Sequence, residues 1–236
     1  HGPDYPRLVE PLTALCAVES ALGEHAPAQR ACGRAITLAT RAQAPAQAAV
    51  ARFALARAIT AEASARGDAT PETRAQALTV AQQAQDDAVR AEDAALANSV
   101  EMAIWARWAD SGSPTVNILL ERATAAEAAG DRDLASAYLD QASDLAPDFA
   151  EPWNRRANLA YRAEDYPGAI AAIQETLRRE PRHFAAYTAL GLIYEELGQS
   201  RAALEAFRAA LAIHPHYEAA TQGVQRLEPR VDGREA

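Results

Sequence analysis

Residues 187–198 read YTALGLIYEELG, and the spacing within this stretch decides the fold. Tyr187, Leu190, Gly191 and Tyr194 share one side of a helix that turns every 3.6 residues. Gly198 then stands where a left-handed residue ends a helix. The stretch is one copy of something longer. Pro147, Pro181 and Pro215 lie 34 residues apart, and alignment on them yields three units, 116–149, 150–183 and 184–217.

Other positions keep the same period. A small residue recurs in each second helix as Ala135, Ala169 and Ala203, followed four residues later by Leu139, Ile173 and Phe207. Ala142, Thr176 and Ala210 come three further on. In the first helices Gly191 is matched by Ala157 and Ala123. The small residues mark where two helices approach closely, the large ones fill the groove to the next hairpin, and each proline stops a second helix. These residues resemble the tetratricopeptide repeat (TPR), a 34-residue helix–turn–helix module. The third unit matches every signature position; the other two match closely in the second helix and loosely in the first. The resemblance implies a right-handed α-solenoid in which neighbours bury what one hairpin cannot. Residues 218–228 read as a solvating capping helix and 229–236 as a frayed tail.

Composition agrees with an all-α chain. Of 236 residues 49% are hydrophobic, only 6% aromatic, and much of the apolar content is alanine, the strongest helix former. No alternating segment is long enough for a strand. The N-terminal part, 1–110, reads as irregular helices near 5–22, 27–43, 45–66 and 71–110, forming degenerate TPR-like hairpins. Thr70 caps a helix whose first residue is Pro71, and the long span 71–110 is expected to break within 85–93. A further break falls at 109–115, with Ser113 as N-cap before Pro114.

The segment IWARWADSGSPT (104–115) ahead of the repeats, with PDFAEPWNRRA (147–157), resembles a family of bacterial TPR proteins found among alphaproteobacteria. The likeness spans about 96–228. Its members are commonly exported and have no agreed biochemical role, so it implies a periplasmic location, with the cytoplasm as alternative, and no mechanism. The chain opens with HGPDYPRL and no Met, which fits a removed secretory signal or a trimmed boundary. Cys16 and Cys32 flank a turn expected at GEHAP (23–27), at similar heights on antiparallel helices. A disulfide is therefore geometrically open, and two buried thiols are the alternative.

The TPR register points to the groove lined by first helices. In the second unit it selects Glu151, Asn154, Asn158, Tyr161 and Arg162, with Arg155 beside them. Asn154, Asn158 and Tyr161 share a face, and two amides there suit the backbone of an extended peptide. The third unit adds Thr188, Leu192 and Glu195. The basic and asparagine clamp that the resemblance would supply for a C-terminal carboxylate is not reproduced, since Leu120 and Thr124 occupy its places. A protein segment of mixed charge is the expected partner.

Other functions find less support. The net charge is −9, which repels nucleic-acid phosphates, and all 23 basic residues are arginine. No apolar run approaches the roughly 20 residues that span a bilayer. The pair Trp105 and Trp108 reads as junction core. His183, His214 and His216 lack the closed ligand set of a metal site, and no nucleophile elbow, phosphate loop or HExxH segment occurs. The expectation is a scaffold without cofactor, not an enzyme, that binds protein or peptide. Self-association as a homo-oligomer and small-molecule binding among the N-terminal helices are the alternatives.

Overall fold

The computed structural model describes residues 6–67, 70–231 and 233. They form an all-α chain with no strand among the described residues. It divides into two compact units, His1–Gly112 and Ser113–Ala236.

The first unit holds a short 3-10 turn, Pro6–Leu8, then α1 (Val9–Ala21), α2 (His25–Arg41), α3 (Pro45–Arg66), α4 (Pro71–Arg90) and α5 (Ala94–Ala109). Tyr5, where the first helix was expected to start, lies outside the described residues. The turn after α1 is shorter than expected. It occupies 22–24, with Gly23 at φ 79°, and Pro27 falls inside the first turn of α2. Proline is tolerated there because the first N–H groups of a helix have no intrahelical partner. The span 71–110 is two helices. Glu92 adopts φ 55°, and Asp93 caps α5 by accepting from the Leu96 N–H at 2.9 Å. Thr70 caps α4 through the Thr73 N–H.

Alanine dominates this unit's core. Ala49, Ala88 and Ala97 pack together at the α3–α4–α5 junction, so the helices run close with little side chain between them. Cys16 and Cys32 are joined as a disulfide, Cα to Cα 5.4 Å, in a cluster with Ala28, Ala31 and Ala58. Asp87 is buried and paired with both Arg52 of α3 and Arg90 of α4. Burial holds the Arg52 guanidinium below its ordinary range. Trp108 is 5% exposed and meets Trp105 edge to face at 5.3 Å, while the Trp105 indole donates to Glu101. Trp108 is core, and Trp105 is half-buried against it.

The second unit is a ladder of hairpins: α6 (Pro114–Ala128) with α7 (Arg132–Leu145), α8 (Glu151–Arg162) with α9 (Tyr166–Arg179), α10 (Phe184–Glu196) with α11 (Ser200–Ile213), then α12 (Glu218–Val231). Each junction repeats its chemistry. Ser113 caps α6, and Asp131 and Asp165, one period apart, cap α7 and α9. The second residue after each first helix is left-handed: Gly130 at φ 80°, Glu164 at φ 58° and Gly198 at φ 70°. The capping helix runs three residues past its expected end and contains Pro229. In a last turn this proline forfeits only one N–H bond. Residues 232 and 234–236 of the expected tail lie outside the described set.

The small positions Ala123, Ala157 and Gly191 are buried, as are Leu139, Ile173 and Phe207. Phe207 shows why smallness is obligatory. Its ring lies so near Gly191 of α10 and Gly223 of α12 that a Cβ added to either would stand 2.7 Å and 2.6 Å from ring carbons. We expect Gly223→Ala to destabilise by about 1–3 kcal/mol through overpacking, and by distinctly less in a Phe207→Leu background. Urea denaturation of the four proteins of this cycle measures the coupling; strict additivity would refute the contact.

His183 closes the second repeat. It is fully buried, and its Nδ1 accepts from the Ala186 N–H at 3.1 Å, capping α10. Burial pushes the imidazole down from 6.5 to about 3. The unfolded chain takes up a proton below pH 6.5 that the folded chain refuses. This group's contribution is therefore complete above pH 6.5 and declines as the pH falls toward 3. At pH 5 the loss from this one group is ~2 kcal/mol. His183→Asn keeps a capping acceptor but cannot titrate. The fall in its urea-unfolding free energy between pH 7.5 and 5 should be smaller than that of the unsubstituted protein by about that amount; an equal fall would refute the assignment.

Candidate functional site

The first helices α6, α8 and α10 carry the residues that the repeat register assigns to the groove. The arginines there are mostly engaged within the chain. Arg155 of α8 reaches α6, donating to the Leu120 carbonyl at 3.0 Å and the Thr124 hydroxyl at 2.6 Å, while its Nε donates to Glu151 at 2.8 Å. Glu151 also accepts from the Asn154 amide at 3.0 Å. Arg162 approaches Glu127 of α6 at 3.5 Å. Two repeats further, Arg226 of α12 clasps Glu195 of α10 at 2.9 Å, which raises the Arg226 guanidinium above its ordinary range.

These contacts sort the expected residues. Glu151, Asn154, Arg155 and Glu195 are bound within the chain and hold neighbouring helices in place. Thr188 departs from its expected role: it is buried, and its hydroxyl donates to the Phe184 carbonyl at 3.0 Å one turn back. Asn158 is exposed and makes no hydrogen bond among the described residues. Leu192 is 39% exposed and occupies the same repeat position as Asn158, one period later. Tyr161 is half-buried, its ring 6.0 Å from that of Tyr166, and Arg162 keeps 67% of its side chain exposed.

The α8–α10 seam thus differs from the α6–α8 and α10–α12 seams. Arginine ties of the kind described cross the latter two. α8, α9 and α10 share one apolar cluster, to which α8 and α10 contribute Ala157, Ala160, Tyr161, Ala189, Leu190 and Ile193; Asn158 beside it is exposed, and Arg162, though paired with Glu127, keeps 67% of its side chain exposed. The arrangement can offer an amide donor and acceptor, an apolar patch and a cation to an extended chain.

The structural parts of Arg156 and of Arg179 on α9 escaped the sequence reading. Trp153 is stacked between Arg156 and Arg179, 4.6 and 4.5 Å from its ring centre. Arg156 also pairs with Asp140 of α7, and Arg179 donates to the Pro147 carbonyl at 2.6 Å. The visible signal was one aromatic with an arginine three residues on, but the second arginine comes from α9 and the carboxylate that holds Arg156 from α7. In the first unit a small open cleft is lined by Thr60, Thr73, Arg74, Arg107 and Asp110. Arg107 spans it to donate to the Thr60 hydroxyl at 3.0 Å. His183 and His214 are buried. Among the described residues no three His, Cys, Asp or Glu side chains are placed to hold a metal ion, and no helix is long and apolar enough to cross a membrane.

The two kinds of residue should separate experimentally. Arg155→Met is expected to destabilise by about 1–3 kcal/mol, because it strands acceptors on two helices. Asn158→Ala should change stability by less than about 0.5 kcal/mol. Urea denaturation of both variants checks this, and equal effects would contradict the division.

Comparison with known proteins places this geometry in context. The family model described as tetratricopeptide repeat matches residues 120–175 and 154–218. A TPR repeat-containing protein of Rhizobium etli is 35% identical over 144 residues, covering 61% of this chain and 71% of that protein. Among solved structures, the Sgt2 TPR domain of Aspergillus fumigatus is 18% identical, covers 52% of this chain and 83% of that one, and gives a TM-score of 0.47. YrrB, described as a TPR protein with an unusual peptide-binding site, is 16% identical, covers 91% of each chain and gives 0.43. With a relative this similar over most of its length, and with three 34-residue hairpins stacked in register, the chain belongs to the tetratricopeptide-repeat family.

Proposed function

We propose that the protein is a non-catalytic scaffold that binds an extended segment of another protein across the α8–α10 seam. The observation that carries this reading is the contrast between seams. Arginine ties, that of Arg162 to Glu127 among them, cross the α6–α8 and α10–α12 faces, while Asn158 and Leu192 stay exposed beside the apolar cluster shared by α8, α9 and α10. Asn158 would pair with the ligand backbone, Leu192 and Tyr161 would take an apolar side chain, and Arg162, whose contact with Glu127 is long at 3.5 Å, would exchange it for a ligand carboxylate. Selection of a displayed random-peptide library on the purified protein, followed by fluorescence anisotropy of the recovered peptides, tests it. Asn158→Ala and Leu192→Ala should each weaken binding about tenfold, a loss of ~1.4 kcal/mol. Peptides that bind both variants unchanged would remove the seam from consideration.

The same reading places the protein in the bacterial periplasm. The Cys16–Cys32 disulfide supports this, since such bonds persist in oxidising compartments; the cytoplasm is the alternative. Protein isolated from its native cells and alkylated without reduction should carry no label, and should gain two after reduction. Two alkylated thiols before reduction would overturn the assignment. Reduction should also destabilise the first unit by about 3 kcal/mol, the loop-closure value for a loop of this length.

A further inference from the structure

Each hairpin of the second unit turns between its two helices, and beside each turn lies the end of the next first helix. The repeat period equates these corners residue by residue. Tyr161, Glu164, Tyr166 and Glu196 at the α8–α10 corner correspond to Glu127, Gly130, Arg132 and Arg162 at the α6–α8 corner. At the α10–α12 corner they correspond to Glu195, Gly198, Ser200 and Arg230. In both outer corners the chain itself brings a guanidinium to a glutamate. Arg162 approaches Glu127 at 3.5 Å, with Arg132 donating to the Arg162 carbonyl at 3.4 Å. Arg226 holds Glu195 at 2.9 Å.

The middle corner has no arginine at the four corresponding positions. It offers two tyrosine rings, 6.0 Å apart and tilted by 56°, both half-buried, and the exposed carboxylates of Glu164 and Glu196. Rings and carboxylates are close neighbours: desolvation, then Glu196 and Glu164, push the Tyr166 phenol above its ordinary range. A guanidinium suits this set, because its plane stacks on a ring while its edge forks onto a carboxylate. The chain makes the same combination at Trp153, where Arg156 lies 4.6 Å from the ring centre and pairs with Asp140.

We infer that the α8–α10 corner takes an arginine side chain of the bound segment, supplying from outside the guanidinium that the two neighbouring corners supply from within. Its guanidinium lies against Tyr161 and Tyr166 and is shared by Glu164 and Glu196, while its aliphatic stem covers the rings. The net charge of −9 favours the approach of such a segment. The inference rests on the seam reading given above and sharpens it. The segment carries both signs across the seam, a carboxylate toward α6 for Arg162 and an arginine toward α10 for Glu196.

Titration of the full chain with Nα-acetyl-arginine amide, followed by NMR, tests the inference. The probe should shift the ring signals of Tyr161 and Tyr166 with millimolar affinity. The uncharged citrulline analogue should bind about tenfold more weakly. Glu164→Gly combined with Glu196→Gln should lower arginine to the citrulline level. That variant keeps its fold, since the other two turns carry glycine and Glu196 is exposed, and circular-dichroism melts check it. Equal binding of the two probes, no shift of either ring, or undiminished arginine binding in the double variant would each overturn the inference. Peptides selected on the protein that still need Asn158 and Leu192 would then leave the seam reading in place, so the two failures are told apart.

Discussion

Two glycines set the geometry of the C-terminal unit. Gly191 and Gly223 border the ring of Phe207 from two helices, and neither site has room for a single additional carbon. The contact joins α10, α11 and α12 at one point. Ala123 and Ala157 occupy the Gly191 position in the earlier hairpins, where Leu139 and Ile173 take the place of Phe207. Close approach of two helices is thus bought with smallness on one side and filled by one large residue on the other. The N-terminal unit reaches a similar closeness with alanine alone and adds the Cys16–Cys32 bond and the Asp87 ion pairs. Interiors packed to crystal-like density tolerate little variation at such points.

Close packing orders the first helices side by side, and charged residues then fix their spacing. Arg155 bonds to a carbonyl and a hydroxyl of α6, and Arg226 bonds to a carboxylate of α10. Their hydrogen-bonding capacity is used within the chain, so these arginines cannot answer to a ligand without releasing a neighbour. What distinguishes the α8–α10 seam is that its contacts are apolar and its polar side chains face outward. The functional proposal follows from that difference between neighbouring seams of one solenoid.

The period was legible in the sequence because it rests on residues whose size is fixed by helix contact. Three prolines, three small residues and three large ones repeat at 34, and the structure puts them where such contacts require. The groove was legible only in outline. Repeat register found the right face, but it could not separate Asn158 from Arg155, since the partners of Arg155 lie 31 and 35 residues away on another helix. Thr188 carries a polar name and a buried position, because its hydroxyl is satisfied by its own helix. Asp87 lies in the stretch where a break is expected and is instead buried within α4, held by an arginine 35 residues earlier. Short-range patterns report helix and turn; pairings between helices depend on which faces stack, which the one-dimensional spacing leaves open.

The central claim is that recognition occurs at the α8–α10 seam and not at the arginine-tied face beside it. A photo-crosslinking amino acid placed singly at 158, 192 and 124 in the full chain, expressed in its native cells, tests this most directly. The account predicts that positions 158 and 192 crosslink to one segment of the same protein partner, while position 124, beneath Arg155, yields no such product. Crosslinks from 124 alone, or from none of the three positions, would contradict it.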